Sequence, residues 1–480
     1  MLQALAYILV FLSCVIVFAK VRSRNVRQAT LLAASAGLYL TWTPWFSAVL
    51  LASVVMNFLL GKWLRKKPTG LPLAVGIILN LALLAAFKYL PEAAAHGSPA
   101  LQPFTRLALP LGISFWTFQA LSYLFDLYQG EELDPSFLEF ALYMAFFPVA
   151  ISGPLCRLPE MLPQLRSEER TRWSDVGEGF RRIAIGALMI QIATLLGQGI
   201  LAGDGIVSGF DHTHSWTGPD VWCLAVGYGL QLFFDFAGYS HIAIGAAKAM
   251  GFTIPENFAR PFASTSPSIF WTRWHMSLSF WIRDYAFFPI MHLSRAAWWR
   301  TLSLLISMVL FGLWHKASLL FLLWGAYHGV LLVLHRQIES AQRKYDWTPL
   351  EGPWNLISWI ATISLISVGW IFFRANSWAQ ARQMFSAIAS IESYTSHRLT
   401  SSLYLLVAAI AGGYALVTMA ASALNRGDAA EPVSSSGIVP LLARWRWYWL
   451  PAVYALAMIF VLMITLTQEG GVGQFMYRGF

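Results

Sequence analysis

Charged residues are scarce in this chain. Asp, Glu, Lys and Arg together make up 12% of its 480 residues, whereas hydrophobic residues make up 57% and the mean hydropathy is +0.56. A soluble domain cannot cover that much apolar surface with so few charged groups. The composition therefore excludes a soluble globular protein and indicates an integral membrane protein.

Cysteine and the sequence motifs of several enzyme classes are also scarce or missing. The three cysteines, Cys14, Cys156 and Cys223, lie far apart and form no metal-binding or redox spacing. The chain has no GxSxG nucleophile elbow, no P-loop and no Rossmann glycine pattern. Because HxxxH and HxxE spacings are missing too, we predict no bound metal and no bound cofactor.

Long apolar runs, by contrast, recur throughout the sequence. Examples are residues 71–87, 303–314 and 448–466, and the longer runs approach the roughly 20 residues that a helix needs to cross a bilayer. We count about ten to twelve such runs. They are apolar on all sides, unlike barrel strands, which alternate apolar and polar residues. We therefore predict an all-α polytopic membrane protein with a single membrane-embedded domain over residues 1–480.

Basic residues between the apolar runs account for the formal net charge of +9. They cluster at residues 20–27, 62–67 and 444–446. The positive-inside rule assigns such clusters to cytoplasmic loops, which predicts an N-terminus on the outer side. Residues 1–19 lack the basic segment and cleavage site of a signal peptide, and we expect a first membrane span there.

Three stretches, residues 128–182, 250–300 and 374–400, interrupt the pattern of membrane spans. Charges occur in all three, the first two also contain prolines and glycines, and we expect in-plane or re-entrant helices in them. Irregular backbone at membrane depth is tolerated only where protein or a water-filled cavity surrounds it. These stretches therefore predict a central funnel or cavity.

The segment FWTRWHMSLSFWIRDY, residues 270–285, concentrates polar groups in an apolar chain. At helical spacing, His275, Ser279 and Arg283 share one face, and large apolar residues share another. The apolar face comprises Trp271, Trp274, Leu278, Trp281 and Tyr285. We predict an amphipathic helix with a reactive polar stripe. The alternative is an interfacial anchor helix, whose Trp and Arg side chains lie among lipid headgroups.

A second polar site lies between two apolar flanks within residues 308–329. His315 and Lys316 occur there, and an ionisable pair at membrane depth is a candidate functional site. His315 is therefore a candidate general base, and the alternative is a histidine that only packs between helices. For His328, packing and function are equally supported.

These segments resemble the membrane-bound O-acyltransferases, specifically the bacterial branch that acetylates alginate or attaches D-alanine to teichoic acid. The resemblance rests on FWTRWHMSLSFWIRDYAFFP (270–289), GLWHKAS (312–318) and LLWGAYHG (322–329). Further motifs follow in the same order, at residues 109–131, 152–165, 230–252, 255–262, 368–375 and 474–480. The similarity to the alginate acetylase type is stronger than that to the D-alanyl type.

The resemblance implies a ring of transmembrane helices around a tunnel, with the chemistry in residues 250–330. It implies that His315 is the catalytic base and that His275 is a second catalytic group. The further residues expected to bind donor or acceptor are Asn257, Arg260, Trp271, Arg273, Trp274, Ser279, Trp281, Arg283, Asp284, Tyr285, Trp314, Lys316 and His328.

The resemblance also implies substrates, partners and a location. We expect an acyl thioester, either acetyl coenzyme A or an acyl-carrier thioester, to enter from the cytosol of a bacterium as a substrate. The acyl group, most simply acetyl, then passes toward hydroxyls of an exported or cell-surface polysaccharide, with a periplasmic acyltransferase as partner. The expected location is the bacterial inner membrane.

Departures from the family pattern leave the donor and acceptor open. Lys316 follows His315 where the family usually has glycine, His241 replaces an aspartate, and residues 291–300 replace a glycine-rich loop. The enzymatic alternatives are D-alanyl transfer to teichoic acid and acylation of peptidoglycan or a lipid. The alternatives from other classes are a scaffold of a polysaccharide export complex and a transporter, although no internal repeat supports a transporter.

Overall fold

The computed structural model describes residues 2–42, 44–96, 105, 109–110, 112–150, 152–200, 203–211, 215–346 and 353–427. Within these ranges the chain forms helices and turns, and no β-strand occurs. The predicted all-α polytopic membrane protein is thereby confirmed. The predicted ring around a tunnel and the single domain stay predictions.

Eight helices among the described residues are long and apolar enough to cross a membrane. They are Pro44–Lys66, Gly70–Lys88, Trp173–Gln198, Gly218–Ala249, Ala297–His315, Leu319–Lys344, Pro353–Arg374 and Ser401–Met419. The predicted span at residues 448–466, the basic cluster at 444–446 and the motif at 474–480 lie outside the described residues.

Shorter or less apolar helices connect these spans. They are Leu2–Lys20, Arg24–Trp42, Leu90–His96, Ile113–Tyr128, Phe137–Met144, Leu158–Arg166, Ile206–Asp211, Pro267–Trp271, Met276–Ile282, Phe288–Met291 and Trp378–Ala389. Single turns of 3₁₀-helix occur at Phe147–Val149, Pro261–Ala263 and Ile391–Thr395, and a π-helical turn occurs at Arg283–Phe287. The interrupted stretches of the sequence thus contain mostly short helices, as expected where prolines and glycines break the pattern.

Contacts group the described chain into two compact units. The first unit comprises Met1–Ile185, Tyr239–Ala259 and Trp271–Ala317, apart from residues outside the described ranges. The second comprises Gly186–Gly238, Arg260–Phe270 and the described part of Ser318–Phe480. His275 and His315 both belong to the first unit, whereas His328 belongs to the second.

Buried polar pairs and close approaches hold the helices of the first unit together. Asn57 and Asn80 are both fully buried, and each side-chain amide donates to the other's carbonyl oxygen, at 3.1 and 2.7 Å. A Cβ on Gly61 would lie 2.2 Å from the Tyr123 hydroxyl, so only glycine permits this helix contact. The Asn57–Asn80 pair ties the helix Pro44–Lys66 to the helix Gly70–Lys88, whose last residue lies beside the candidate site.

Asp220 organises one end of the second unit. Its buried carboxylate accepts hydrogen bonds from the Thr217 and Tyr404 hydroxyls, at 2.6 and 2.7 Å. It also accepts bonds from the backbone N–H groups of Arg398 and Leu399, each at 3.0 Å. A buried carboxylate with several donors is well satisfied, and this one ties the start of Gly218–Ala249 to the segment before the last described helix.

Candidate active site

The prediction of one continuous amphipathic helix over residues 271–285 is wrong. The helix Pro267–Trp271 ends at its tryptophan, and a new helix begins only at Met276. His275 precedes it with φ +42°, a left-handed conformation that is uncommon for residues other than glycine. The local sequence favours a helix, but tertiary hydrogen bonds favour the break.

Two backbone hydrogen bonds stabilise this break. The N–H of Met276 donates to the Asn257 carbonyl at 2.9 Å, and the N–H of Ala259 donates to the Arg273 carbonyl at 3.0 Å. Both partners come from the extended segment after Gly251, so the turn at His275 is formed by pairing two distant stretches of chain. A left-handed residue persists when its surroundings determine it in this way.

The break removes the predicted stripe of His275, Ser279 and Arg283. His275 is buried, Ser279 is half-buried, and the Arg283 side chain is 52% exposed. The aromatic residues predicted on the other face are all buried: Trp271, Trp274, Trp281 and Tyr285. This burial argues against the interfacial anchor helix, whose rings would lie among lipid headgroups.

Asn257 lies at the centre of a buried hydrogen-bond network beside His275. Its Oδ1 accepts a hydrogen bond from the Ser277 hydroxyl at 2.6 Å, and its Nδ2 donates to the Ser240 hydroxyl oxygen at 3.0 Å. The Nδ1 atom of His275 lies 3.4 Å from the same Oδ1. The Ser277 hydroxyl oxygen accepts a further bond from the backbone N–H of Leu155 at 3.0 Å. Asn257 therefore holds the imidazole from one side.

His315 is the last residue of the helix Ala297–His315 and is 5% exposed. Its ring packs against those of Trp314 and Phe311, at centroid distances of 4.7 and 5.1 Å. Trp271 packs on Phe311 at 5.5 Å, which extends the aromatic wall toward the turn that carries His275.

The two predicted histidines come together in the first unit. They are close enough for their charges to interact, although 40 positions separate them in the sequence. Phe118 links their surroundings, because its ring packs on Trp281 at 4.2 Å and on Trp314 at 5.1 Å. Two buried imidazole rings in apolar surroundings suit acid and base chemistry on one substrate.

Lys88 and Tyr89 complete this region and were missed from the sequence. The Lys88 Nζ lies 4.8 Å from the centroid of the Trp314 ring. The Tyr89 hydroxyl donates to the carbonyls of Leu313 and Trp314, at 3.1 and 3.4 Å. The sequence signal for Lys88 was its position at the end of the apolar run 71–87. A lysine at such a position is normally explained by snorkelling, in which the ammonium group extends to the membrane surface.

Asp284 and Tyr285 belong to an ionic network at the end of the π-helical turn. Asp284 accepts hydrogen bonds from Arg157 and Arg283, each at 2.7 Å, and the Tyr285 hydroxyl donates to Asp126 at 2.6 Å. Burial raises the pKa of the Asp284 carboxyl, but the hydrogen bonds from Arg283 and Arg157 outweigh that effect and hold the pKa below its ordinary value. Sequence reasoning named Arg283, Asp284 and Tyr285 as site residues and missed Arg157 and Asp126.

The same network lines a cavity of about 780 Å³. Its ionisable lining residues are Asp126, Tyr128, Glu131, Arg157, Glu160, Asp284, Tyr285 and His292. The four carboxylates exceed the one guanidinium, so this cavity is electrostatically unfavourable for the phosphates of a donor. The Arg157 guanidinium also lies 5.0 Å from the centroid of the Tyr285 ring, which keeps it on the cavity wall.

The remaining predicted residues divide between the two units. In the first unit, Trp274 packs on Phe258 at 5.1 Å, Arg273 is half-buried and Lys316 is exposed. In the second unit, Arg260 is exposed with φ +53°, and His328 is fully buried.

His328 has the surroundings of a packing residue. Its ring contacts those of Trp324 and Tyr327, at centroid distances of 4.9 and 5.4 Å. A Cβ on Gly369 would lie 2.5 Å from its Nε2, so the neighbouring helix leaves just enough space for the imidazole. Within the described residues, no three His, Cys, Asp or Glu side chains cluster as potential metal ligands.

The fold and the site define a class of protein: a multi-pass, all-helical membrane protein with a buried pair of histidines among aromatic side chains. Comparison with known families identifies the class further. The sequence profile of the MBOAT, membrane-bound O-acyltransferase family matches residues 29–375. The chain belongs to this family and is an O-acyltransferase, which confirms the resemblance and the predicted enzyme class.

Relatives with three different printed activities are similar to this chain. A probable alginate O-acetylase AlgI of Pseudomonas syringae pv. tomato is 33% identical over 385 residues, which cover 76% of this chain and 71% of the relative. A peptidoglycan O-acetyltransferase of Helicobacter pylori is 28% identical, with 75% and 73% covered. A teichoic acid D-alanyltransferase of Bacillus subtilis is 27% identical, with 64% and 79% covered.

Proposed function

We propose that this protein transfers an acetyl group from a cytosolic thioester toward hydroxyl groups of an exported or cell-surface polysaccharide. The observation that carries the proposal is that His275 and His315 are both buried and close to each other in an O-acyltransferase. The similarity to alginate O-acetylases, at 33% identity, favours acetyl as the group and a polysaccharide as the acceptor.

In the proposed reaction, His315 is the general base. A ring nitrogen of His315 takes the proton of the acceptor hydroxyl as the hydroxyl oxygen attacks the thioester carbonyl carbon. The C–O bond forms, the carbonyl electron pair moves onto oxygen, and then the C–S bond breaks. The thiolate leaves with the proton returned by His315, so the products are an ester and a thiol. Holding both substrates in one pocket supplies a large part of the rate.

The negative charge that develops on the carbonyl oxygen needs a hydrogen-bond donor. His275 is one candidate, because it is buried close to His315 and Asn257 Oδ1 lies 3.4 Å from its Nδ1. Trp314 is a second candidate. Its buried indole N–H has no hydrogen-bond partner among the described residues, and its ring contacts His315 directly. A buried donor without a partner is costly, and a substrate oxygen would satisfy it.

The donor, partner and location belong to the same proposal. Acetyl coenzyme A or a carrier thioester is a substrate, and the cations Arg273 and Lys316 are exposed enough to meet its phosphates. Residues 20–27 and 62–67 carry the basic clusters expected on the cytoplasmic side of an inner membrane. A periplasmic acyltransferase that completes the transfer remains the proposed partner. D-alanyl transfer is the second candidate, because D-alanyltransferases are among the similar proteins.

Mild-base release from surface polysaccharide tests the acyl group and the acceptor. Cells that carry the gene and cells from which it is deleted are compared after removal of lipid and peptidoglycan. We expect acetate from the polysaccharide of the first strain and a large loss in the second. Release of D-alanine would support the second candidate. Equal ester content in both strains would contradict the proposed function.

A further inference from the structure

Lys88 places a cation beside the candidate acyl-transfer site. It is the last residue of the apolar helix Gly70–Lys88 and is partly buried. Its Nζ lies over the Trp314 ring at 4.8 Å, and Trp314 packs directly on His315. Lys88 and His315 are close enough for their charges to interact. The neighbouring Tyr89 fixes this arrangement, because its hydroxyl bonds to carbonyls of the helix that carries His315.

The charge of Lys88 is not matched by an acid of the described chain. Among the described residues, no carboxylate lies within salt-bridge distance of its ammonium group, whereas Arg157, Arg166 and Arg374 each pair with one. The face of the Trp314 ring attracts the cation, but a cation–π contact leaves the ammonium N–H groups available to a further acceptor. Charges that are taken out of water are usually paired, so a half-buried ammonium group with no acidic partner described is a candidate for a direct role in function.

We propose that Lys88 is a further catalytic residue, whose ammonium group stabilises the negative oxygen formed from the donor's carbonyl. This inference rests on the proposed acyl transfer with His315 as general base. When the hydroxyl oxygen attacks, the carbonyl oxygen gains a negative charge, and it loses that charge when the C–S bond breaks. A fixed positive group in an apolar pocket stabilises such an oxygen far more than it would in water.

A purely structural role for Lys88 makes a different prediction. The C-terminal end of the helix Ala297–His315 carries a partial negative charge, which a nearby cation stabilises. In that case, loss of the Lys88 charge would lower the thermal stability or the membrane level of the protein. Catalysis by the folded fraction would then be unchanged.

The test compares Lys88→Met, which removes the charge and keeps the length, with Lys88→Arg, which keeps a charge. Lys62→Met is the matched control, because the Lys62 Nζ also lies over an aromatic ring, that of Phe58 at 4.6 Å, outside the site. Full-length proteins are produced in cells that lack the native gene. The initial rate of ester-linked acyl incorporation is measured per unit of membrane protein, together with the thermal midpoint of each purified variant.

We expect Lys88→Met to lower the initial rate by about 100-fold or more, the usual effect of removing one oxyanion-stabilising group. Lys88→Arg should keep at least about a tenth of the rate, and the thermal midpoints should agree within a few degrees. Lys62→Met should behave as the wild type. A Lys88→Met protein within a few-fold of the wild-type rate would overturn the inference. Two further strains, run alongside, separate the claims: full activity of His315→Ala would reject His315 as the general base, and equal ester content with and without the gene would reject the proposed function itself.

Discussion

Asn257 shows how a buried residue positions a catalytic group without contacting the substrate. Its carboxamide is fully buried and bonds to Ser277 and Ser240, so it is enclosed by protein rather than facing a donor. We therefore interpret Asn257 as a positioning residue for His275, not as a donor-binding residue. Supporting residues of this kind commonly change activity by about 10- to 100-fold when they are lost.

Asn257→Leu should accordingly lower the initial acylation rate by about 10- to 100-fold. Asn257→Asp keeps the acceptor oxygen, replaces the amide nitrogen with a second oxygen, and should retain more activity than Asn257→Leu, because Ser277 and His275 still find an acceptor. Ser240→Ala is the control, since it removes the partner of Nδ2 and leaves the oxygen beside His275 in place. Equal losses in Ser240→Ala and Asn257→Leu, with equally lowered thermal midpoints, would show that the network only stabilises the fold.

His328 is predicted to stabilise the second unit by packing. Gly369→Ala would place a Cβ 2.5 Å from its Nε2 and should destabilise the protein by about 1 to 3 kcal/mol, the usual cost of overpacking. In the double variant with His328→Ala, the added methyl finds space, so the two effects should be clearly non-additive in thermal unfolding. Strict additivity would mean that the two residues do not contact each other in the way described.

At the scale of elements, Gly112 sets the start of the helix Ile113–Tyr128, which carries Phe118 into the site. It has φ +75°, and a Cβ would lie 2.0 Å from the Ala150 carbonyl oxygen. Gly112→Ala should therefore abolish folding or lower the thermal midpoint strongly. Gly130 has φ +98° with open space around it, so Gly130→Ala should cost only the backbone strain, about 1 to 2 kcal/mol. Similar midpoints for both variants would contradict the close approach at Gly112.

Elements that depend on the local sequence could be predicted, whereas elements that depend on tertiary contacts could not. The apolar runs at 71–87 and 303–314 predicted spans correctly, because burial in lipid depends on local hydropathy alone. The helix break before Met276 could not be predicted, because bonds from Asn257 and Ala259 produce it. Lys88 was missed for a similar reason: only the packing of the helices Gly70–Lys88 and Ala297–His315 shows which ring it contacts.

At the scale of the whole molecule, the order of the chain concentrates the candidate chemistry in the first unit. Within this unit, His275 and His315 belong to separate sequence motifs, and Lys88 belongs to an early membrane span. Sequence motifs identified both histidines, since their apolar surroundings made ionisable groups conspicuous. The interaction that joins them is tertiary, and only the fold shows it. Transfer across a membrane suits a site enclosed by apolar helices, which exclude water from the thioester.

The most direct test of this account is the rate of ester formation by His315→Ala. The variant and the wild type are produced at equal membrane levels in cells without the native gene, and ester-linked acyl groups on the surface polysaccharide are measured over time. The account predicts a loss of at least about 100-fold, because general-base catalysis contributes roughly that much. A His315→Ala protein that esterifies at the wild-type rate would contradict the assignment of His315 as the general base.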